Sequence, residues 1–299
     1  MGLSTPSFKA VPVNHAFDFA QALLVDVARL AIWLVLLTIL FVPLERWFAL
    51  REAPGRRPIL PDLALFFLNS LVPAALLGVP MAAVATVAGR LTPSAYLEMI
   101  GSLPFALRLI LGLIVTEIGT YWAHRWTHRS PFLWQFHAVH HAPRHVDWLI
   151  NTRAHPFDIV LTRLCGLVPL YLLGLGSVHG DSQSRMLPVY ITLFGTVWAF
   201  FIHANIRWRL GPLEWLVATP AFHHWHHTND AHRDSNFAAL LPQVDRIFGT
   251  YYLPKHWPSC YGIDADLPES TTRQLLVPLG LMRPVPPAPT EFPAESAHD

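Results

Sequence analysis

The stretch Leu63–Gly89 contains no Asp, Glu, Lys, Arg or His, and that run limits the fold more than any other feature of the chain. Roughly 20 mostly apolar residues in a helix cross the hydrocarbon core of a bilayer. A helix satisfies its own backbone polar groups there, as lipid requires. Pro73 and Pro80 are expected to bend this helix.

Four more apolar stretches follow the same reasoning: 27–48, 103–123, 159–178 and 187–206. The third carries Arg108 and Glu117. Arg108 can reach out from near one end, whereas Glu117 lies deeper and needs a partner. The fourth carries Arg163 and Pro169, so the last two stretches read equally as two spans or as a re-entrant hairpin. Only 14% of the 299 residues are charged, against about 25% in soluble domains, in keeping with a bilayer. The net charge of +1 gives no reason to expect nucleic acid. The two cysteines, Cys165 and Cys260, indicate neither a disulfide framework nor a paired redox site. Residues 1–26 lack a secretion pattern, so insertion is expected through the spans themselves.

Arginines give an orientation. Arg46, Arg51, Arg56 and Arg57 follow the first stretch, Arg125, Arg129, Arg144 and Arg153 the third, and Arg207 and Arg209 the fifth. The alternate connections hold only Arg90 and Arg185. By the positive-inside rule the basic loops face the cytoplasm. The expected organisation is an N-terminal segment (1–26) and a membrane-embedded domain (27–255), then a cytoplasmic extension (256–283) and a disordered Pro-rich tail (284–299). The fold class is all-α, a polytopic helical membrane protein with a cytoplasmic helical cap.

The histidines define that cap. Of 17 in the chain, seven lie in 124–155 and six in 203–232. His124 and His128 are one helical turn apart. His137, His140 and His141 have offsets i, i+3, i+4, and His223, His226 and His227 repeat them. A helix can aim three such side chains into one site, and neutral imidazole suits iron, zinc, copper and nickel. Eight imidazoles exceed the needs of one ion and suit two. A zinc protease would need His-Glu-x-x-His, but Arg125 follows His124. A carboxylate-bridged di-iron bundle would need Glu-x-x-His pairs on facing helices, which are missing from the apolar stretches. A membrane metal-transport or metal-storage protein also clusters histidines, but would string them along a path inside the spans.

Three histidine boxes in this order (His-x3-His, His-x2-His-His and again His-x2-His-His) resemble those of the fatty acid hydroxylase/sterol desaturase superfamily. Flanking residues agree: Tyr121–Arg125, Leu133–His137, Asn151–Pro156, His203–Asn205, Thr219–Pro220 and Asp245–Tyr251. The resemblance covers roughly residues 105–255. One departure is Asn236-Phe237-Ala238, where the family often has Asn-Tyr-Gly and so a more permissive third residue.

The resemblance implies two iron ions, with zinc as a substitute that the same ligands accept, and dioxygen as co-substrate for hydroxylation or desaturation of a fatty acyl, sterol or related lipid. No fused cytochrome b5 or ferredoxin domain is visible, so electrons are expected from a separate cytochrome b5-like or ferredoxin-like donor with its reductase. The eight box histidines are the expected ligands, and His155 and His203, at family positions outside the triplets, are further candidates. Asp147, Asp230 and Asp234 are candidates to orient ligating rings.

Glu117, Tyr121, His124 and His128 share one helical stripe, which makes Glu117 and Tyr121 weaker catalytic candidates. His145, His224 and His232 are expected at the surface or behind the ligands, and His15, His179, His256 and His298 as ordinary residues. Trp122, Trp126, Trp134 and Trp225 line a lipid path or mark the membrane interface.

Overall fold

The computed structural model describes residues 15–52, 59–177, 180–264 and 270–282. Arg56, Arg57, His179, His298 and the Pro-rich tail lie outside the described residues. Among the described residues ten α-helices follow one another: α1 (His15–Phe48), α2 (Leu60–Leu91), α3 (Ser94–Ser102), α4 (Phe105–Arg129), α5 (Pro131–His141), α6 (Pro156–Leu172), α7 (Ser182–His203), α8 (Pro220–His226), α9 (Pro242–Phe248) and α10 (Thr271–Leu276). Among the described residues the only β pairing is two isolated bridges, Ala49–Ile206 and Thr228–Tyr261.

The protein is an all-α polytopic membrane fold. Among the described residues four helices are long and apolar enough to cross a bilayer: α1 from Asp18, α2, α4 and α7. The described residues up to Leu40 form one compact unit and those from Phe41 onward another. The apolar stretch expected at 159–178 becomes the shorter α6, 17 residues ending at Leu172, which spans about 25 Å at the helical rise. Gly174, at φ +67°, turns the chain there.

Within the second unit, polar contacts assign the helix ends to two opposite levels. At one level, the Glu45 carboxylate near the end of α1 accepts from Trp148 N (2.7 Å) and Asn205 N (2.8 Å). Asp62 at the start of α2 pairs with Arg153, and Asn69 donates to the carbonyls of Thr152 and Ala154. The histidine-bearing ends of α4 and α7 lie at this level too. At the other level, near the start of α4, the buried Arg108 guanidinium meets Asp181 (3.1 Å), Ser184 (2.9 Å) and Gln183 at the start of α7.

Arg108 is therefore paired inside the protein rather than reaching out of it. Asp181→Ala removes the countercharge of a buried cation. Because Asp181 is itself 45% exposed, the expected cost is at the low end for a buried pair, about 1–3 kcal/mol. It should be read as a lower unfolding midpoint in detergent; an unchanged midpoint would mean that Arg108 finds water instead.

Candidate metal centre

Local sequence explains how the histidines come together. Ser130-Pro131 ends α4, because a residue before proline is driven out of the helical region. Ser130 then caps α5, its hydroxyl accepting from Leu133 N, so α5 starts in a new direction with Pro131 in its first turn. Thr219-Pro220 does the same for α8. Both triplets thus sit on short, capped helices beside the C-terminal ends of α4 and α7.

Two groups result. His124, His128, His137, His141 and His226 form the first, and His140, His203, His223 and His227 the second. Within each group the nitrogen atoms all lie within 4.8 Å of one another. The groups abut: the His141 and His227 rings stack at 4.6 Å. Each triplet is divided. Its i, i+4 pair (His137/His141, His223/His227) enters one group, and the middle ring (His140, His226) enters the other. A helix can aim three such rings into one site, but here each triplet serves both groups.

Ring tautomers follow from hydrogen-bond partners. His124 Nδ1 donates to Phe237 O (2.8 Å) and His137 Nδ1 to the Asp158 carboxylate (2.8 Å). With Nδ1 as the donor, the neutral tautomer of each ring leaves Nε2 bare, and those two Nε2 atoms face each other at 3.1 Å. The second group repeats this. His140 Nδ1 donates to Arg153 O and His203 Nδ1 to Ala199 O, and their Nε2 atoms are 3.1 Å apart. Opposed lone pairs at that distance repel unless a cation lies between them.

A proton is a poor candidate for that cation. Burial, and then the neighbouring His137, pushes His140 down to about 4. Burial also holds His141, His223, His226 and His227 well below the usual histidine range, with further lowering from adjacent imidazoles. A metal ion fits: two nitrogens each about 2.1 Å from a shared ion and at a right angle to one another stand about 3 Å apart. In addition, His128 Nε2 and His226 Nε2 are buried without a protein partner, while their Nδ1 atoms are engaged by Asp234 (3.0 Å) and Ser235 O (2.9 Å).

The other candidates fall elsewhere. His155 stands outside both groups: its Nδ1 accepts from Phe157 N as the cap of α6, and its Nε2 meets Leu275 O. His203, by contrast, lies inside the second group. Glu117 finds its partners in the backbone, accepting from Leu240 N (2.7 Å) and Leu241 N (3.1 Å). The Tyr121 hydroxyl bonds Thr250 and Arg125.

His224 is held by Tyr261 and Ala204 O, and burial lowers it to about 3. His232 pairs with Asp230 and stacks on Tyr252. Asp147 caps the 3-10 turn 148–152. Trp122 and Trp126 border an apolar groove of about 800 Å³ between α4 and α6, with Val115, Leu164, Val168 and Leu173. Trp134 packs on His128, and Trp225 on Tyr252 and His256. Sequence reading missed Asp158, whose carboxylate in the first turn of α6 orients His137; its place just after the His155-Pro156 helix start was the available signal.

The fatty acid hydroxylase family profile matches residues 109–250, which contain every histidine of both groups. Through that profile and the relatives that follow, the chain is similar to the fatty acid hydroxylase/sterol desaturase superfamily. It is 36% identical to the ornithine lipid hydroxylase OlsE of Rhizobium tropici over 58% of this chain and 51% of that protein. It is 31% identical to the alkylglycerol monooxygenase of Danio rerio over 51% of this chain and 32% of that one. With the Delta(7)-sterol 5(6)-desaturase ERG3A of Gibberella zeae it shares 26% identity, over 49% and 38%. The chain thus spans about half or less of the length of these relatives. No solved structure matches it.

Proposed function

We propose that this protein is a member of that superfamily, a membrane-bound, dioxygen-dependent oxidoreductase that hydroxylates or desaturates a lipid, with two iron ions held by the two histidine groups. One observation carries the reading: adjacent sets of five and four imidazoles, seven of the nine residues buried and His124 and His128 half-buried, with bare Nε2 atoms facing one another, at the ends of membrane-crossing helices. Bound there, the metals would activate dioxygen, the oxidant, toward a C–H bond, chemistry that side chains lack.

The protein's own part is to fix the rings. Asp158 and Asp234 accept from His137 and His128, and backbone carbonyls accept from His124, His140, His203 and His226. Such partners set ring orientation and raise ligand basicity. The groove between α4 and α6 would take an apolar chain directly from the bilayer. Relatives named for an ornithine lipid, alkylglycerols and a sterol support a membrane lipid as substrate. The arginine-rich connections at the histidine end would place the site on the cytoplasmic face, where a cytochrome b5-like or ferredoxin-like carrier would deliver electrons.

Metal analysis of gently purified protein should give near two ions per chain, and a value near one would sink the two-metal reading. Membranes supplied with electrons and labelled dioxygen should consume it, placing label in a lipid if the reaction is hydroxylation. Desaturation would consume dioxygen and leave the lipid unlabelled. Neither uptake nor a changed lipid would remove the oxidoreductase.

A further inference from the structure

A four-residue strap, Asp234–Phe237, supports the five-histidine group from one side. The Asp234 carboxylate accepts from His128 Nδ1, Ser235 O from His226 Nδ1, and Phe237 O from His124 Nδ1. Three of the five rings in that group thus lean on consecutive parts of a single segment. The four-histidine group uses none of it: His140 donates to Arg153 O and His203 to Ala199 O within α7.

The strap is itself fixed by buried polar side chains. Asn236 sits at φ +58°, the single positive-φ residue other than glycine among the described residues, in a conformation that asparagine tolerates better than most. Its amide donates to Phe222 O (2.8 Å) and Tyr252 O (2.6 Å), its side-chain oxygen accepts from Tyr252 N, and its backbone N–H donates to Thr250 O.

Asp245 takes the next two amides, Phe237 N and Ala238 N, on its two carboxylate oxygens, each at 2.8 Å. Thr250 donates its one hydroxyl proton to Asp245, so Tyr121 must donate to Thr250, and Arg125 donates to Tyr121. This directed chain from α4 holds Asp245 in place, and it gives Tyr121 a positioning role. Ala238 stands where the family often has glycine, but it is not at positive φ, so the methyl group costs the strap no backbone strain.

We propose that Asp234–Phe237 is a positioning element for the five-histidine group alone, so that the two metal positions can be weakened independently. The inference rests on the two-metal reading above. Loss of a partner behind a ligating histidine typically lowers metal affinity by roughly 10–100-fold, and here that loss falls on one position.

The test is a chelator titration of the full chain in detergent, loaded with iron, with metal per chain measured at each step. Asp234 is half exposed, so Asp234→Ala should fold. It should release one ion at roughly 10–100-fold less chelator than wild type, while the second ion is released as before. Asp234→Asn, whose side-chain oxygen still accepts from His128, should restore the wild-type curve. Asn236→Ala, which cuts three tethers, should shift the same single ion further if it folds.

A shift of both ions, or of neither, in Asp234→Ala overturns the proposal, and so does failure of Asp234→Asn to rescue. A wild-type curve with only one ion per chain overturns the two-metal reading instead, and the strap's selectivity with it.

Discussion

His137→Ala should abolish turnover and strip the five-histidine group of its metal. The ring makes polar contacts through both of its nitrogens. Its Nε2 lies 3.1 Å from both His124 Nε2 and His141 Nε2, and its Nδ1 donates to Asp158 at 2.8 Å. Removing it deletes a ligand and also strands a buried carboxylate whose other oxygen already lacks a protein partner. Uncompensated buried charge costs about 3–5 kcal/mol, which Asp158 can partly avoid by taking up a proton.

Metal content should fall from near two ions per chain to one or fewer, and turnover below detection. Asp158→Asn keeps an acceptor for His137 Nδ1 and should show the milder effect, roughly 10–100-fold in metal affinity. His232→Ala, which touches Asp230 and Tyr252 rather than either group, is the control and should keep both ions. Two ions and undiminished turnover in His137→Ala would remove His137 from the centre.

The contrast between His137 and Asp158 shows which parts of the site can be read along the chain. Ligand spacing is local: offsets of three and four residues translate directly into side chains on one helix face, so the three boxes are visible as text. Division of each triplet between two groups is not. It depends on the angle at which α5 and α8 meet α4 and α7, and that angle is set by packing between segments distant in sequence.

The strap lies further from local reading. Asp234 stands out as a carboxylate near a box, but Ser235 and Phe237 contribute backbone carbonyls, which leave no mark on residue type. His155 illustrates the reverse case. A histidine before a proline at a helix start also makes a good cap, and here the cap takes one ring nitrogen and Leu275 O engages the other. For the membrane part, apolar length located α1, α2, α4 and α7, while the end of α6 depended on Gly174 turning the chain earlier than the apolar run suggests.

Gly119→Leu should be the most damaging single change outside the histidines. A Cβ at position 119 would lie 2.0 Å from Cys165 O and 3.0 Å from Gly166 Cα. Both are backbone atoms of α6, with no flexible side chain to move aside. A Cβ at Gly166 would in turn meet Thr120 Cγ2 at 2.8 Å. The two glycines therefore let α4 and α6 approach backbone to backbone, as small residues do in membrane helix pairs.

That approach reaches the chemistry. α4 carries His124 and His128, and α6 carries the Asp158 that orients His137, so separating the helices pulls the support away from the ligands. Overpacking of a well-filled contact costs about 1–3 kcal/mol and occasionally more; with backbone on the far side, Gly119→Ala should sit at the upper end. Gly119→Leu should yield little folded protein, and what folds should hold less metal. Gly195→Ala, where a Cβ meets nothing within 4 Å, should be neutral or stabilising by up to about 1 kcal/mol through helix propensity. The comparison is read from unfolding midpoints in detergent together with metal per chain. Equal behaviour of the two alanine variants would mean that the α4–α6 contact does not hold the centre together.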